Sequence, residues 1–488
     1  MRKLRVLGGL NPERVFYYFE EISGIPRGSY NVKAVSDYCV GVAKSLGLEV
    51  RQDEAFNVII KKPASEGYGP SPALMIQGHL DMVCVHDADY PIDMEKEPIK
   101  LIVEDGFVRA DHTTLGGDDG IAVAMGLAIL EDETLEHPDL EVVFTTEEEV
   151  GMDGVIALDV SDLKASYLLN LDSEKEGQFL AGCAGGCKAA AEFSFLAEDV
   201  KGEVISLSIS GLAGGHSGDE IDKCRASAIM LLGRVLGEMQ KVASFRIIRI
   251  SGGEKDNAIP VDSCAQIVAD PENADAILKA VKRIAVSIAA EFRTADPGIC
   301  IKAQKEGQAE VQAFDPVFTD NMIFMLLEVP NGIQTMSADL PGLVESSLNL
   351  GILRTEKEKV TMTWAVRSSV KSLKELICDK LERLTLRVGG EITWHGDYPE
   401  WTFNPDSRIC RLCSEVYKEQ TGKDAEIATI HAGLECGLLS EKMPKLDMVS
   451  MGPNIYAIHT SREHMDIASV ERSYRLVQEV IRRIRTLG

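Results

Sequence analysis

The sequence predicts an α/β protein interrupted by an inserted α+β segment, and three observations carry that prediction. Over roughly the first third of the chain, apolar runs of strand length alternate with helical patterns, the arrangement that builds a mixed or parallel sheet. Short acidic or histidine-bearing segments each follow an apolar run: Gly78-His79-Leu80-Asp81, Gly116-Gly117-Asp118-Asp119-Gly120, Glu147-Glu148-Glu149 and Asn170-Leu171-Asp172. From about Cys187 the pattern shifts to β-branched alternation and long helices, and near Trp394 it returns. A chain of 488 residues is longer than one hydrophobic core fills. The expected organisation is therefore a catalytic domain in two parts, 1–187 and 397–488, with an inserted domain at 188–396.

Taken in order, Asn11-Pro12-Glu13 opens a helix over 11–22, with Pro12 suited to its first position because the missing N–H needs no partner there. A second helix is expected over 31–46, stopped by Gly47. Runs 58–61 and 73–77 read as strands on either side of a Gly/Pro/Ser-rich loop, and the second leads into His79. A hairpin is expected over 103–110, then an apolar helix over 121–130 and strands over 140–146 and 166–171. Within the insertion, strands are expected at 204–210, 245–250, 264–268, 343–353 and 360–366, with helices at 222–242, 274–292 and 371–388. The last part supplies a helix over 406–420, strands over 425–430 and 448–451, and a closing helix over 467–484. In open α/β sheets the ligand site lies beyond the carboxyl ends of the strands, which is where each charged segment falls.

Composition narrows the partners. Apolar residues at 45% and charged residues at 26% fit a globular chain rather than a disordered one. Lys plus Arg number 51 against 77 Asp plus Glu, and the net charge of −26 argues against nucleic acid or an anionic membrane as partner. Met1-Arg2-Lys3-Leu4-Arg5 is basic, but the apolar stretch from Val6 to Leu10 is too short for an export signal. A cytoplasmic location is expected, with the eleven cysteines as reduced thiols. Cys410-Arg411-Leu412-Cys413 has CxxC spacing but lies in a helical pattern without a second pair, so it reads as a packed helix face.

Taken singly, each charged feature has an ordinary reading: a hydrogen-bonded histidine, a solvated strand end, or an Asp-Gly turn. Their accumulation at strand ends of one domain points to metal. Asp, Glu and neutral His are the ligands of Zn²⁺ and similar divalent ions, and a two-ion site needs one bridging carboxylate plus terminal ligands on each side. Asp118 can bridge, with His79 and Asp172 on one ion and Glu149 and His459 on the other. Glu148 is then the free carboxylate that serves as general base, since neighbouring side chains in a strand or loop point apart. Asp81, two residues after His79, can bond the ring nitrogen turned away from the metal.

His79-Leu80-Asp81, Gly117-Asp118-Asp119-Gly120, Glu148-Glu149-Val150-Gly151, Asp172 and His459 together resemble the zinc-dependent aminoacylase/carboxypeptidase superfamily of co-catalytic metallopeptidases. The runs 168–174, Gly214-Gly215-His216-Ser217-Gly218, Asn257-Ala258-Ile259-Pro260 and His431-Ala432-Gly433-Leu434-Glu435-Cys436 look like its aminoacyl-histidine (Xaa-His) dipeptidase branch. The resemblance spans nearly the whole chain. Asp119 stands where that branch often carries Asn, and Asp118 is kept as the bridge.

The resemblance implies a phosphorylase/hydrolase-like metallopeptidase domain with an inserted lid, two divalent ions per subunit (Zn²⁺, with Mn²⁺ or Co²⁺ as alternatives), and a homodimer formed through the lid. It also implies that His216 stabilises an oxyanion. A dipeptide carries an ammonium and a carboxylate, so Glu435 is a candidate for the first and Arg367 for the second, with Asn257 holding the backbone. The expected activity is hydrolysis of unblocked dipeptides of the Xaa-His type, such as carnosine. An N-acyl-amino-acid deacylase or a tripeptide aminopeptidase of the same superfamily is the alternative, and a peptide-binding scaffold without activity would require a missing ligand.

Overall fold

The structure is a computed structural model that describes residues 5–487, so the basic start at positions 1–4 lies outside the described residues. The chain forms two compact units: the first holds the chain up to Gly182, Phe403–Thr429 and the part from Leu434 onward, and the second holds Cys183–Thr402 with the short return Ile430–Gly433. The second unit thus starts a few residues before the expected insertion and ends a few after it. It also reclaims a piece of the third segment.

The first unit is built on eight strands: β1 (Glu49–Gln52), β2 (Val58–Lys62), β3 (Leu74–His79), β4 (Leu140–Thr145), β5 (Tyr167–Asn170), β6 (Gln178–Cys183), β7 (Glu426–Ile430) and β8 (Asp447–Ser450). Their order across the sheet is β1-β2-β4-β3-β5-β8-β6-β7. The four central strands β4, β3, β5 and β8 are mutually parallel. Every residue of β3, β4 and β5 is buried, as strands covered on both faces must be, which is why they read as continuous apolar runs. Because the four run the same way, the segments that follow them emerge along one edge.

The helix Gly117–Glu131 is buried from Asp119 through Leu130 and packs against β3 and against the helix Glu13–Ser23. The approach is close: a Cβ at Gly78 would stand 2.5 Å from the Ala122 side chain and 2.6 Å from Asp119 Oδ2, so β3 needs glycine there. Pro12 is extended and flanks the first helix rather than opening it, and Glu13 is the first helical residue. A separate small sheet pairs Ile455–Tyr456, His464–Asp466, Phe107–Ala110 and Leu101–Glu104 in that order, fixing both ends of the loop that carries His459.

The second unit is an antiparallel sheet with strands in the order Cys300–Phe314, Ala197–Ser210, Ser263–Ala269, Phe245–Gly252, Val344–Glu356, Lys359–Ser368, Gly185–Ser194 and Glu391–Tyr398. Helices Ala228–Gln240, Ala274–Glu291, Pro316–Glu328 and Lys371–Arg387 cover it. Burial alternates along Gly185–Ser194, the signature of a sheet with one packed face. The helix expected over 222–242 is shorter than its pattern, because Cys224 takes a left-handed backbone and separates a short turn from Ala228–Gln240. Among the described residues no helix is long and apolar enough to cross a membrane. No disulfide forms among the described residues, and Cys410 and Cys413 are buried on the helix Arg408–Thr421.

Candidate metal centre

Beyond the parallel strands, side chains from the segments ending β3, β4 and β5 meet those of the His459 loop and of Asp118, which starts the helix Gly117–Glu131 rather than ending a strand as its segment was expected to. His79, the last residue of β3, places Nε2 3.1 Å from Asp118 Oδ1 and 3.8 Å from Asp172 Oδ1. His459 places Nε2 3.2 Å from Asp118 Oδ2 and 3.1 Å from Glu149. The two oxygens of Asp118 therefore face different imidazoles. Two triplets of donor atoms result, His79/Asp118/Asp172 and Asp118/Glu149/His459, each within 4.8 Å, and Glu148 lies as close to His79 and Glu149. Four carboxylates crowd around two imidazoles.

The electrostatics follow from that crowding. Burial first, then repulsion from Glu435, Glu149 and Asp118, lifts Glu148 to about 8 despite the attraction of His79. Burial and repulsion from Asp119 hold Asp172 well above the carboxylate range. His459 rises to about 10 through its bonds to Asp118 and Glu149. His79 is raised as well, although burial opposes its charge, because Asp118 and Asp81 outweigh the desolvation. The donor set fits divalent ions: nitrogen and oxygen ligands of the right types, with negative charge in excess of what two imidazoles balance.

Asp119 is turned away from this group. Its Oδ2 accepts from the backbone N–H of His79 at 3.2 Å, and burial, reinforced by Asp118, keeps its carboxyl raised toward the neutral acid.

Glu148 to Gly151 forms one helical turn, not the strand or loop expected, after Glu147 in a left-handed conformation. Adjacent residues on a helix point about 100° apart rather than to opposite sides, yet that suffices to separate Glu148 from Glu149. Asp81 caps the turn: its carboxylate accepts from Glu148 N at 3.1 Å and Glu149 N at 3.3 Å, and from Ser29 Oγ at 2.9 Å. The same carboxylate lies 3.4 Å from His79 Nδ1. It is fully buried, and those bonds together with His79 hold it below the usual range against burial.

His459 sits in the loop between two short strands, with a left-handed backbone like that of Ala457. The loop is held by Thr460 Oγ1 donating to the Ala457 carbonyl and by Ser461 Oγ donating to Asp87. Glu174, two residues beyond Asp172, is partly exposed. Its carboxyl is pushed up to about 7 by burial and by Asp118.

Glu435 is wholly buried in the first unit, where Oε2 accepts from Gln77 Nε2 at 2.5 Å and Thr145 Oγ1 at 2.6 Å. Gln77 Oε1 in turn accepts from Asn170 Nδ2 at 2.5 Å. This network braces β3, β4 and β5 just below their charged ends through Glu435 Oε2, and Oε1 makes no hydrogen bond among the described residues.

The remaining candidates lie in the second unit. His216 Nδ1 is 3.2 Å from the Asp219 N–H and 3.1 Å from its carboxylate. Arg367 Nη1 donates to Tyr398 Oη at 3.2 Å, while its buried Nε has no hydrogen-bond partner among the described residues. Asn257 is exposed, and its carbonyl accepts from Ser217 N at 2.9 Å. His431, not singled out from the sequence, has Nε2 2.6 Å from Ser347 Oγ. Its imidazole is pushed down to about 4 by burial and then by Arg367. Glu174 and His431 both lay inside motif runs, two residues after Asp172 and four before Glu435, and that proximity was the only sequence signal for them.

The chain is 34% identical over 480 residues to the cytosol non-specific dipeptidase of Escherichia coli (strain K12), covering 98% of this chain and 99% of that one. Its fold matches an aminoacylhistidine dipeptidase from Vibrio alginolyticus with a TM-score of 0.93 at 33% identity, over 97% of both chains. The fold is shared more loosely with an aminopeptidase PepT from Bacillus cereus, at a TM-score of 0.57 and 16% identity over 97% of this chain and 99% of that one. Residues 75–483 match the model of peptidase family M20/M25/M40, and with the strand-end ligand geometry this establishes that the chain belongs to that family.

Proposed function

We propose that the chain is a cytosolic metallodipeptidase that hydrolyses unblocked dipeptides, Xaa-His dipeptides among them. The observation that carries this is the division of Asp118 between His79 and His459, which a mononuclear or purely structural site would not require. Asp118 would bridge two divalent ions, His79 and Asp172 would hold one, and Glu149 and His459 the other. Zn²⁺ is the assigned ion, with Mn²⁺ or Co²⁺ able to replace it. Bound there, the ions would polarise the scissile carbonyl and acidify a water.

Glu148 accepts the proton of the attacking water and passes it to the leaving amine. Asp81 fixes the His79 ring while capping the turn that bears Glu148, so base and ligand are positioned by one carboxylate. Asp219 holds His216 through Nδ1, which leaves Nε2 free to serve as donor to a developing oxyanion. Arg367 pairs with the substrate carboxylate, and Asn257 holds the peptide backbone. For the ammonium, the burial of Glu435 makes Glu174 the better-placed acid.

Beside Glu149 lies a cavity of about 720 Å³ lined in part by Tyr30, Met82, Cys84, Met94 and Val150, with room for side chains of several sizes. That breadth agrees with the non-specific activity named for the Escherichia coli relative. Homodimerisation through the second unit belongs to the same proposal. The test is a substrate panel with metal-loaded protein: Xaa-His and other unblocked dipeptides should be cleaved in preference to N-acetyl amino acids and tripeptides. A preference for N-acetyl amino acids would replace this reading with a deacylase, and a preference for tripeptides with an aminopeptidase.

A further inference from the structure

Two buried charges that neither face a substrate nor belong to the ligand set lie directly behind the metal centre. Arg27, 2% exposed, donates through Nη1 to the carbonyls of Leu80 at 2.8 Å and Asp81 at 2.9 Å, and through Nη2 to the carbonyl of Gly116. Glu463, 3% exposed, accepts four successive backbone N–H groups: Leu115 at 2.8 Å, Gly116 at 3.1 Å, Gly117 at 2.8 Å and Asp118 at 3.4 Å. Glu463 is four residues beyond His459, and its own N–H closes that loop on the Thr460 carbonyl at 3.1 Å.

We propose that Arg27 and Glu463 are the positioning residues of the metal centre, clamping the segments that bear His79, Asp118 and His459 into one register. Arg27 ties the segment after His79 to the one before Asp118. Glu463 ties the Asp118 segment to the His459 loop. Asp81, whose carbonyl Arg27 holds, extends the clamp to the Glu148-Glu149 turn through its side chain. A carboxylate can be buried this fully only because each oxygen receives N–H donors and a guanidinium lies close by. The fit is tight: a Cβ at Gly116 would meet Arg27 Nη2 at 2.5 Å.

The chemistry predicts what a neutral replacement does. In Glu463→Gln one end still accepts two N–H groups, but the amide NH₂ confronts the other two, so the Asp118 segment is released at one end. Groups that orient metal ligands typically contribute 10–100-fold to metal affinity. Competitive titration of full-length Glu463→Gln with Zn²⁺ and Mn²⁺ against a chelator should therefore show an affinity loss of about 10–100-fold. The gap in melting temperature between metal-loaded and EDTA-treated protein should also narrow. A purely structural role would lower both melting temperatures equally and leave affinity unchanged, which would overturn the proposal.

If Glu463→Gln does not fold, Arg27→Lys keeps the charge but loses the fork, and a smaller affinity loss is expected; unchanged affinity there is equally fatal. The inference rests on the ligand set proposed above, so His459→Ala is titrated alongside. Unchanged affinity in His459→Ala would overturn both readings. Loss of an ion in His459→Ala with wild-type affinity in Glu463→Gln would overturn the clamp alone.

Discussion

The two units handle charge in opposite ways. In the first, the ends of parallel strands and the start of one helix deliver carboxylates of one sign into a small buried space, where they repel each other and face two imidazoles. In the second, the candidates mix an acid, Asp219, a guanidinium, Arg367, and two imidazoles, His216 and His431, and most have a local partner. Crowding of like charge is costly unless cations are to be held, so the first arrangement belongs to chemistry. Mixed groups with an unused donor, such as Arg367 Nε, fit the recognition role proposed for them. The contrast can be broken at each end.

The largest effect is expected at Glu148. General acid–base groups contribute about 10²–10⁴-fold, so Glu148→Ala should reduce kcat by that order while bound metal, measured by elemental analysis, stays near two ions per chain. Substantial residual activity, or lost metal, would show that chemistry is not divided between Glu148 and its ligand neighbours. His216→Ala comes next, with kcat lower by about 10²–10³-fold and KM little changed, as for loss of one oxyanion donor. An effect confined to KM would move His216 from chemistry to recognition.

Arg367→Ala should act through KM. A hydrogen bond to a charged group contributes about 1.5–3 kcal/mol, so kcat/KM should fall roughly 10–100-fold on a free dipeptide. On the same dipeptide with its carboxyl amidated, variant and wild type should converge. A loss that persists on the amide would mean that Arg367 supports the fold around Tyr398 rather than the substrate.

The candidate ligands His79, Glu149 and Asp172 were legible because a parallel strand buried on both faces is an unbroken apolar run, and the charge at its end stands out; Asp118, at a helix start, and His459, in a loop, stood out only through their motifs. The clamp behind them was not. Arg27 and Glu463 are single charged residues in mixed surroundings, and a sequence cannot distinguish a buried charge from a solvated one until the backbone groups that satisfy it are in place. The Glu148 turn escaped because four residues are too few to display a helical period. The helix Pro316–Glu328 escaped for a different reason: it is apolar nearly all round and so lacks a stripe, although Asp315 as cap followed by Pro316 marked its start. Cys300–Phe314 is a long strand whose exposure hides the alternation that would have identified it. The motif of Glu435 is visible in the sequence, while its depth is not.

The smallest expected effect tests whether the second unit tolerates charge as the first does. His431 is buried against Ser347, with its imidazole pushed down to about 4 by burial and then by Arg367. An unfolded histidine titrates near 6.5, so between about pH 6.5 and 4 the unfolded chain binds a proton that the folded one refuses. Stability therefore falls as pH drops through that window and is unaffected by this group above it. The ceiling is about 3 kcal/mol, set by the fall from the ordinary imidazole range to about 4. His431→Gln retains a polar contact to Ser347 but cannot take up the proton. For EDTA-treated protein, the drop in melting temperature between pH 7 and pH 4.5 should thus be smaller in the variant than in the wild type. Equal drops would mean that the second unit accommodates a buried cation beside Arg367, and the contrast between the units would lose its electrostatic basis.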